Sequence, residues 1–281
     1  SQSKYRKPKR SEKETISDRF GFRYFDCDEK YLYLNGYPFY MRGYIRGCTA
    51  HEHENLCGLE PKEFYRKNIR MAKKYGFNAR ELEYGPGLPV SYFGEDAFNN
   101  SYDMLKEFAE YLKPLKSKYK ITLEMGRYIA ATCGVYVSSV ADTKTNKGQN
   151  YCIIDGGINH VNYYGQTMAM KVPAYTFVKA DGTAAAGYGA KDYGTEPEKW
   201  TICGSLCTVA DVIVKNLPIG KPESGDMIIF YNIGAYSVTE GIYLFLSRKM
   251  PKIIAYSEKE GTSLYRDFKF SDKINSREDL I

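Results

Sequence analysis

The sequence predicts an α/β segment over about residues 1–120 followed by an all-β domain over 121–281. Strand-like and helix-like stretches alternate up to about residue 124. After Gly126 the helical spacing of apolar residues is lost, and short β-prone runs follow, punctuated by Gly and Pro. Alternation of that kind implies parallel βα units, whereas evenly spaced short strands imply a sheet domain.

Taken in order, Phe39 to Ile45 is short, apolar and aromatic, and reads as a strand. Pro61 to Tyr75 reads as a helix: Pro61 suits a first turn, Phe64, Ile69, Met71 and Ala72 fall mostly on one face, and Gly76 suits the C-cap. Arg80 to Tyr84 is the next strand and runs into Gly85-Pro86-Gly87. A helix follows from about Tyr102 to Lys113, with Leu105, Phe108, Ala109 and Leu112 on one face and Pro114 expected to end it. Ile121 to Glu124 is a strand. Beyond it, Arg127 to Thr143 reads as one long β-prone run. Strands are expected at Tyr151–Ile154, Ala174–Val178, Met227–Tyr231, Tyr243–Leu246 and Ile253–Tyr256, with one short helix near Val209 to Val214. Neither repeats nor low-complexity tracts occur.

Hydrophobic residues make up 43% of the chain and charged residues 26%, ordinary for a globular protein. The net charge of +6 is modest, and Lys4, Arg6, Lys7, Lys9, Arg10 and Lys13 crowd the beginning. A solvated terminus accounts for that cluster, because no basic patch interleaved with aromatics follows; nucleic acid is not an expected partner. The seven cysteines are odd in number and form no C-x-x-C pair, which argues for a reducing compartment rather than disulfides or structural zinc. Apolar runs fall well short of the ~20 residues of a membrane span, so a cytoplasmic location is expected. His51-Glu52-His53 lies in a polar stretch that reads as solvated, and no metal site is expected.

Motifs carry the functional reading. Asp18-Arg19-Phe20-Gly21, Gly85-Pro86-Gly87, Glu124-Met125-Gly126-Arg127, the run Cys203-Gly204-Ser205-Leu206-Cys207-Thr208-Val209-Ala210-Asp211, and the pair Gly225-Asp226 with Gly234-Ala235-Tyr236 occur in that order. The series resembles the ornithine/diaminopimelate/arginine decarboxylases of the alanine-racemase-like fold. Those enzymes join a (β/α)8 barrel that binds pyridoxal 5'-phosphate (PLP) to a C-terminal β-domain. The resemblance implies the last part of such a barrel followed by the β-domain, and PLP as cofactor. It implies that Glu124 sits against the ring nitrogen and keeps it protonated, while Gly85, Gly87, Arg127 and Tyr236 receive the phosphate. Pro86 departs from the family's triple glycine and removes one N–H.

By the same resemblance Cys207 reaches across a dimer interface and protonates the carbon that CO2 has left; a buried inert cysteine is the commoner state of that residue. The family's next residue is an acidic partner for a distal ammonium, whereas here it is Thr208. A hydroxyl does not neutralise a buried cation, so the expected substrate has a neutral or acylated far end. Thr208 and Asp211, with Asp155-Gly156-Gly157-Ile158-Asn159-His160 and Tyr164-Gly165-Gln166, resemble a biosynthetic subgroup that includes a decarboxylase of glutamate linked to a carrier protein. An acyl-carrier protein is then an implied partner. Thr208, Asp211 and His160 are the candidate substrate contacts, and a cationic His160 would read a distal carboxylate.

Two family features have no counterpart. The Schiff-base lysine belongs far upstream of Arg19, whereas Lys4, Lys7 and Lys9 lie in a polar context. The histidine that stacks on the cofactor ring is missing from Gly43-Tyr44-Ile45-Arg46-Gly47-Cys48. The expectation is a homodimer or a heteromer in which another segment or chain supplies the N-terminal barrel half. A non-catalytic regulatory or partner-binding subunit is the second reading, favoured by Pro86 and the missing histidine; a racemase of the same fold is a third.

Overall fold

The computed structural model describes residues 25–28, 32–39, 61–94, 97, 103–163, 169–189 and 197–277. The expected strand beyond Phe39, the motifs at 18–21, 43–48 and 164–166, His51, His53 and the N-terminal lysines lie outside these residues. Two compact units are distinguished, Ser1–Asn78 and Ala79–Ile281.

In the first unit, β1 (Phe25–Cys27), β2 (Leu32–Leu34) and β3 (Tyr37–Phe39) form an antiparallel meander. Asn35-Gly36 closes the β2–β3 hairpin with φ of 54° and 82°, the left-handed pair that a two-residue turn requires. Helix α1 (Pro61–Lys74) occupies the expected stretch. Phe77 N donates to Ala72 O and Gly76 N to Lys73 O, both at 3.0 Å, the pattern that ends a helix on a left-handed glycine. Ile69 and Met71, read as part of one apolar face, are 57% and 47% exposed.

The second unit opens with a parallel βαβ element: β4 (Glu81–Tyr84), α2 (Asp103–Lys116) and β5 (Lys120–Leu123), with Tyr84 opposite Leu123. Helix α2 runs through Pro114 instead of stopping before it. Within the last turn the ring removes only one backbone donor. This element groups with the sheet that follows because the segment after β4 is stitched to it. Ala174 N donates to Tyr92 O (3.2 Å), and the Asn232 amide donates to Ser91 O (3.0 Å) and Ala97 O (2.8 Å).

The predicted β run from Arg127 begins instead as helix α3 (Gly126–Ala130) and a 3-10 turn (Ala131–Cys133). Then come β6 (Tyr136–Asn146), β7 (Gln149–Ile154), β8 (Tyr175–Val178), β9 (Ala184–Gly187), β10 (Lys199–Cys203), β11 (Val212–Pro218) and β12 (Met227–Phe230). They form one curled mixed sheet in the order β11-β10-β7-β6-β12-β8-β9, in which only β10 and β7 run parallel. Val140, Ile154, Phe177, Ile202, Val214, Leu217, Ile228 and Phe230 fill its core. The helix expected near Val209 is absent. Val212-Ile213-Val214, β-branched throughout, joins the sheet as β11, since such side chains fit a pleated surface better than a helix.

Two small antiparallel pairs follow, β13 (Lys249–Met250) with β16 (Lys269–Phe270) and β14 (Ile253–Ser257) with β15 (Gly261–Arg266), then a short helix α4 (Asp272–Asn275). The strand expected at Tyr243–Leu246 is a 3-10 turn over Phe245–Ser247, with Leu246 at φ 57°.

A backbone-to-backbone contact joins the two ends of the sheet domain. A Cβ on Gly134 would sit 2.6 Å from Gly234 Cα, and one on Gly234 would sit 2.9 Å from Gly134 N. Ile233 N donates to Gly134 O (3.0 Å) and Gly234 N to Ala131 O (2.9 Å), so the contact is closed by hydrogen bonds. Gly134→Ala should therefore destabilise the domain by about 2 kcal/mol or more, because backbone, not a flexible side chain, must move. Urea unfolding of the variant against the parent measures this, with Gly148→Ala, where a Cβ meets nothing within 4 Å, separating turn strain from steric clash.

Candidate active site

Strand ends and one glycine contact create the first cluster. Glu124 N donates to Tyr84 O at 3.0 Å, extending the parallel ladder by one rung and bringing the end of β5 level with the loop after β4. There the Glu124 side chain lies over Gly85, where a Cβ would stand 3.6 Å from Glu124 Oε2. Gly87 adopts φ +64° with nothing within 4 Å of a Cβ position, so this turn is open and specific for glycine. Gly126 and Arg127 follow at the start of α3.

Gly234 then delivers Tyr236. Because Gly234 lies on the 3-10 turn below α3, the next residues cross the start of that helix, and a Cβ on Gly126 would come within 3.2 Å of Tyr236 Oη. Tyr236 holds φ +64°, an uncommon conformation for an aromatic residue, and its carbonyl accepts from Glu240 N (2.9 Å) and Thr239 Oγ1 (2.8 Å). The Arg127 guanidinium carbon stands 4.7 Å from the Tyr236 ring centre, and Nη1 donates to Tyr92 Oη at 3.0 Å. Gly85 and Glu124 thus meet at one turn, and Gly126, Arg127 and Tyr236 meet at the start of α3 two residues further on, while Gly87 touches none of them.

Cys207, Thr208, Asp211 and His160 gather on a second loop system. Cys207 is exposed, a free thiol at the tip of the 204–211 loop, and Val209 beside it is 99% exposed. Asp211 closes that loop. One carboxylate oxygen accepts from Ile158 N (2.9 Å), the other from Leu206 N (2.8 Å), and the residue is 2% exposed. Cβ atoms on Gly157 and Gly204 would lie within 2.6 Å of that carboxylate, so both glycines are there to let it in. Asp211 is therefore a buried clasp, and the substrate contact expected of it has no exposed carboxylate to work through. Thr208 Oγ1 accepts from Ala210 N at 3.2 Å and helps shape the same turn.

His160 also departs from expectation. Its Nε2 pairs with Lys249 O (2.8 Å) and its Nδ1 with Tyr136 Oη (3.0 Å). A carbonyl on Nε2 makes that nitrogen the N–H, while Nδ1 pairs with a tyrosine hydroxyl that also faces Ser138 Oγ at 3.4 Å. Burial lowers the imidazole's pKa below its ordinary value, with the Lys249 carbonyl opposing. His160 is engaged through both ring nitrogens, and its burial disfavours the cationic form that a distal carboxylate would need.

Arg248, Tyr92 and Ser138 lie beside these clusters and were not singled out by the sequence, whereas Asp155 was read only as the first residue of the Asp155–His160 run. Arg248 Nη2 donates to Ser205 Oγ at 2.8 Å, beside the cysteine loop. Ser138 Oγ donates to Asp155 Oδ1 (2.5 Å) and accepts from Gly156 N (3.2 Å), fixing the loop that Asp211 grips. That loop reaches the first cluster through Asn162 N, which donates to Ser237 O at 2.9 Å. Gly225-Asp226 repeats the same device: the buried Asp226 accepts from Ala180 N (3.0 Å), Glu223 N (2.8 Å) and Lys179 Nζ (2.7 Å).

L-glutamyl-(BtrI acyl-carrier protein) decarboxylase of Niallia circulans is 28% identical over 187 residues, covering 64% of this chain and 41% of that protein. The Staphylococcus aureus decarboxylase of 2-((L-alanin-3-ylcarbamoyl)methyl)-2-hydroxybutanedioate is 27% identical over 206 residues, 69% of this chain and 47% of that one. The chain thus spans less than half the length of these relatives. Diaminopimelate decarboxylase of M. jannaschii in complex with L-lysine superposes with a TM-score of 0.55 at 21% identity, covering 76% of this chain and 46% of that one. The Helicobacter pylori enzyme with L-lysine gives 0.54 at 19%, covering 75% and 48%. At such identity these structures establish the shared fold. Residues 27–234 match the family described as pyridoxal-dependent decarboxylase, C-terminal sheet domain. With three quarters of its length inside that match and the motif residues brought together by the fold, the chain belongs to the pyridoxal-dependent decarboxylases.

Proposed function

We propose that this chain provides the phosphate- and ring-binding side of an amino-acid decarboxylase, together with its proton donor, and acts with a barrel half that carries the cofactor-anchoring lysine. The observation that carries this reading is the convergence of Gly85, Gly126, Arg127 and Tyr236 beside Glu124. The donor set fits PLP: a cation, a phenol and glycine backbone for the phosphate, and a carboxylate for the pyridine nitrogen. When bound, PLP supplies an electron sink for the pair released as CO2 departs. Glu124 holds a proton on the ring nitrogen. Arg127, oriented by Tyr92 and the Tyr236 ring, neutralises the phosphate charge. Tyr236 donates from Oη, and its left-handed backbone aims the ring across α3.

Cys207 releases a proton from Sγ to the carbon that has lost CO2, and solvent restores it, as exposure at the loop tip allows. Asp211 keeps the loop in shape for that transfer. The extended loop tip suits the cradle of a second copy, as in the resemblance to a dimeric family, so a homodimer or a heteromer with the barrel half is the proposed assembly. The non-catalytic reading remains the alternative, and turnover by the complete assembly decides against it. Cys207→Ala should lower turnover by about 10²–10⁴-fold while PLP binding is unchanged; equal loss of both would place Cys207 in the fold and not in the chemistry.

Thr208 directs the substrate proposal: an amino acid with a neutral or acylated far end, for which a carrier-protein thioester is the leading candidate. Leaving a distal ammonium unpaired in a dry pocket costs several kcal/mol, and each ~1.4 kcal/mol is tenfold in kcat/KM. CO2 release from free and carrier-linked amino acids, glutamate included, tests this. Ornithine, lysine and diaminopimelate should be poor substrates, and Thr208→Glu should raise activity on them about tenfold or more. Efficient turnover of free ornithine or lysine by the parent protein would sink the idea.

His160 yields a stability prediction with a defined sign. Its folded pKa is depressed, so the unfolded chain binds the proton more readily. Stability is full above the unfolded value near 6.5 and falls as pH drops toward the folded value, by at most about 1.4 kcal/mol per pH unit. Urea midpoints measured from pH 7.5 to 5 should show this slope, and His160→Gln, which keeps a donor for Lys249 O, should flatten it.

A further inference from the structure

Tyr92 belongs to no motif, yet it joins the buried core to the proposed cofactor cradle. It follows the glycine turn after β4, and its residue is 4% exposed. Its backbone is fixed on two sides: its carbonyl accepts from Ala174 N (3.2 Å), and the carbonyl before it accepts from Asn232 Nδ2 (3.0 Å). Its ring packs edge-on against Tyr163 at 6.3 Å and tilted against Phe93 at 6.1 Å, and Tyr163 is itself anchored by donating to Tyr231 O at 3.1 Å. A ring held this way cannot follow a moving partner.

The hydroxyl of that fixed ring accepts from Arg127 Nη1 at 3.0 Å. The guanidinium carbon lies 5.9 Å from the Tyr92 ring centre and 4.7 Å from that of Tyr236, so the cation is bracketed by two phenols. Arginine has a flexible stem and a rigid planar fork, and anion affinity depends on how much of that freedom is lost beforehand. Tyr236, half-exposed and on a surface loop, is the softer of the two brackets. Tyr92 is the stiff one.

We propose that Tyr92 is a positioning residue for anion binding: its buried hydroxyl sets the plane and reach of the Arg127 guanidinium toward the cofactor phosphate. The proposal rests on the reading of Arg127 as a phosphate contact, and the test separates the two. Equilibrium affinities are measured for pyridoxal 5'-phosphate and for pyridoxal, which lacks the phosphate, on the complete apo-protein. Tyr92→Phe keeps the ring and removes only the acceptor. It should weaken phosphate-bearing cofactor about tenfold, as expected for one lost hydrogen bond to a charged group, leave pyridoxal unchanged, and have no further effect in an Arg127→Ala background. Thermal midpoints are recorded alongside, and Ile202→Val, in the sheet core, serves as the control for general disturbance. Equal weakening of both ligands would make Tyr92 a packing residue and overturn the proposal. Loss of phosphate affinity in Arg127→Ala but not in Tyr92→Phe would overturn it while leaving the role of Arg127 intact. An Arg127→Ala protein with unaltered preference for the phosphorylated ligand would overturn both.

Discussion

Two backbones pass each other at Gly134 and Gly234 with no room for a methyl group on either, and hydrogen bonds from Ile233 and Gly234 close the crossing. That crossing fixes where the chain goes on each side of it. Upstream it ends the 3-10 turn that continues α3, which sets the direction of Gly126 and Arg127. Downstream it delivers Ala235 and Tyr236 over the start of the same helix. The candidate phosphate side is thus built where two remote stretches of chain are forced together, and a rigid crossing costs the site none of the entropy that a flexible one would.

The second constraint is ionic. Asp211 and Asp226 are each 2% exposed and each satisfied by backbone N–H groups, with Lys179 added at Asp226. A carboxylate supplied with such donors can sit in a low-dielectric interior without a full countercharge. Each one converts an irregular loop into a fixed object. The Asp211 clasp leaves Cys207 projecting from a rigid turn, and Arg248 and the Lys249 carbonyl tie the same region to the strand pair that follows.

How much of this was legible depended on whether a residue's job is local. Gly85, Glu124, Arg127 and Tyr236 were singled out by their resemblance to short family motifs, and the structure sets Gly85 against Glu124 and Arg127 against Tyr236. The β segments at Tyr151–Ile154, Ala174–Val178 and Ile253–Tyr256 were legible from period and residue type. Arg127–Cys133 misled because β-branched and aromatic residues there sit in a helical turn imposed by the glycine crossing, a tertiary demand that outweighs propensity. Asp211 and His160 were read as reaching outward, whereas burial and backbone partners turn them inward. Tyr92 carried no signal at all: among 27 tyrosines, only its three-dimensional neighbours distinguish it.

The parallel pair β4–β5 sets a hierarchy of rigidity within the cradle. Among the described residues these strands pair only with each other, and none of their side chains, nor any on α2, is buried. Parts of a protein with few apolar contacts open at a small fraction of the global unfolding free energy. Gly85 and Glu124 hang from this easily opened pair, whereas Arg127 and Tyr236 are pinned to the glycine crossing. On the proposed reading, the phosphate end of the site is an anchor and the ring-nitrogen end a hinged jaw, which further strands beside β4 and β5 would have to stiffen before the two ends could act as one.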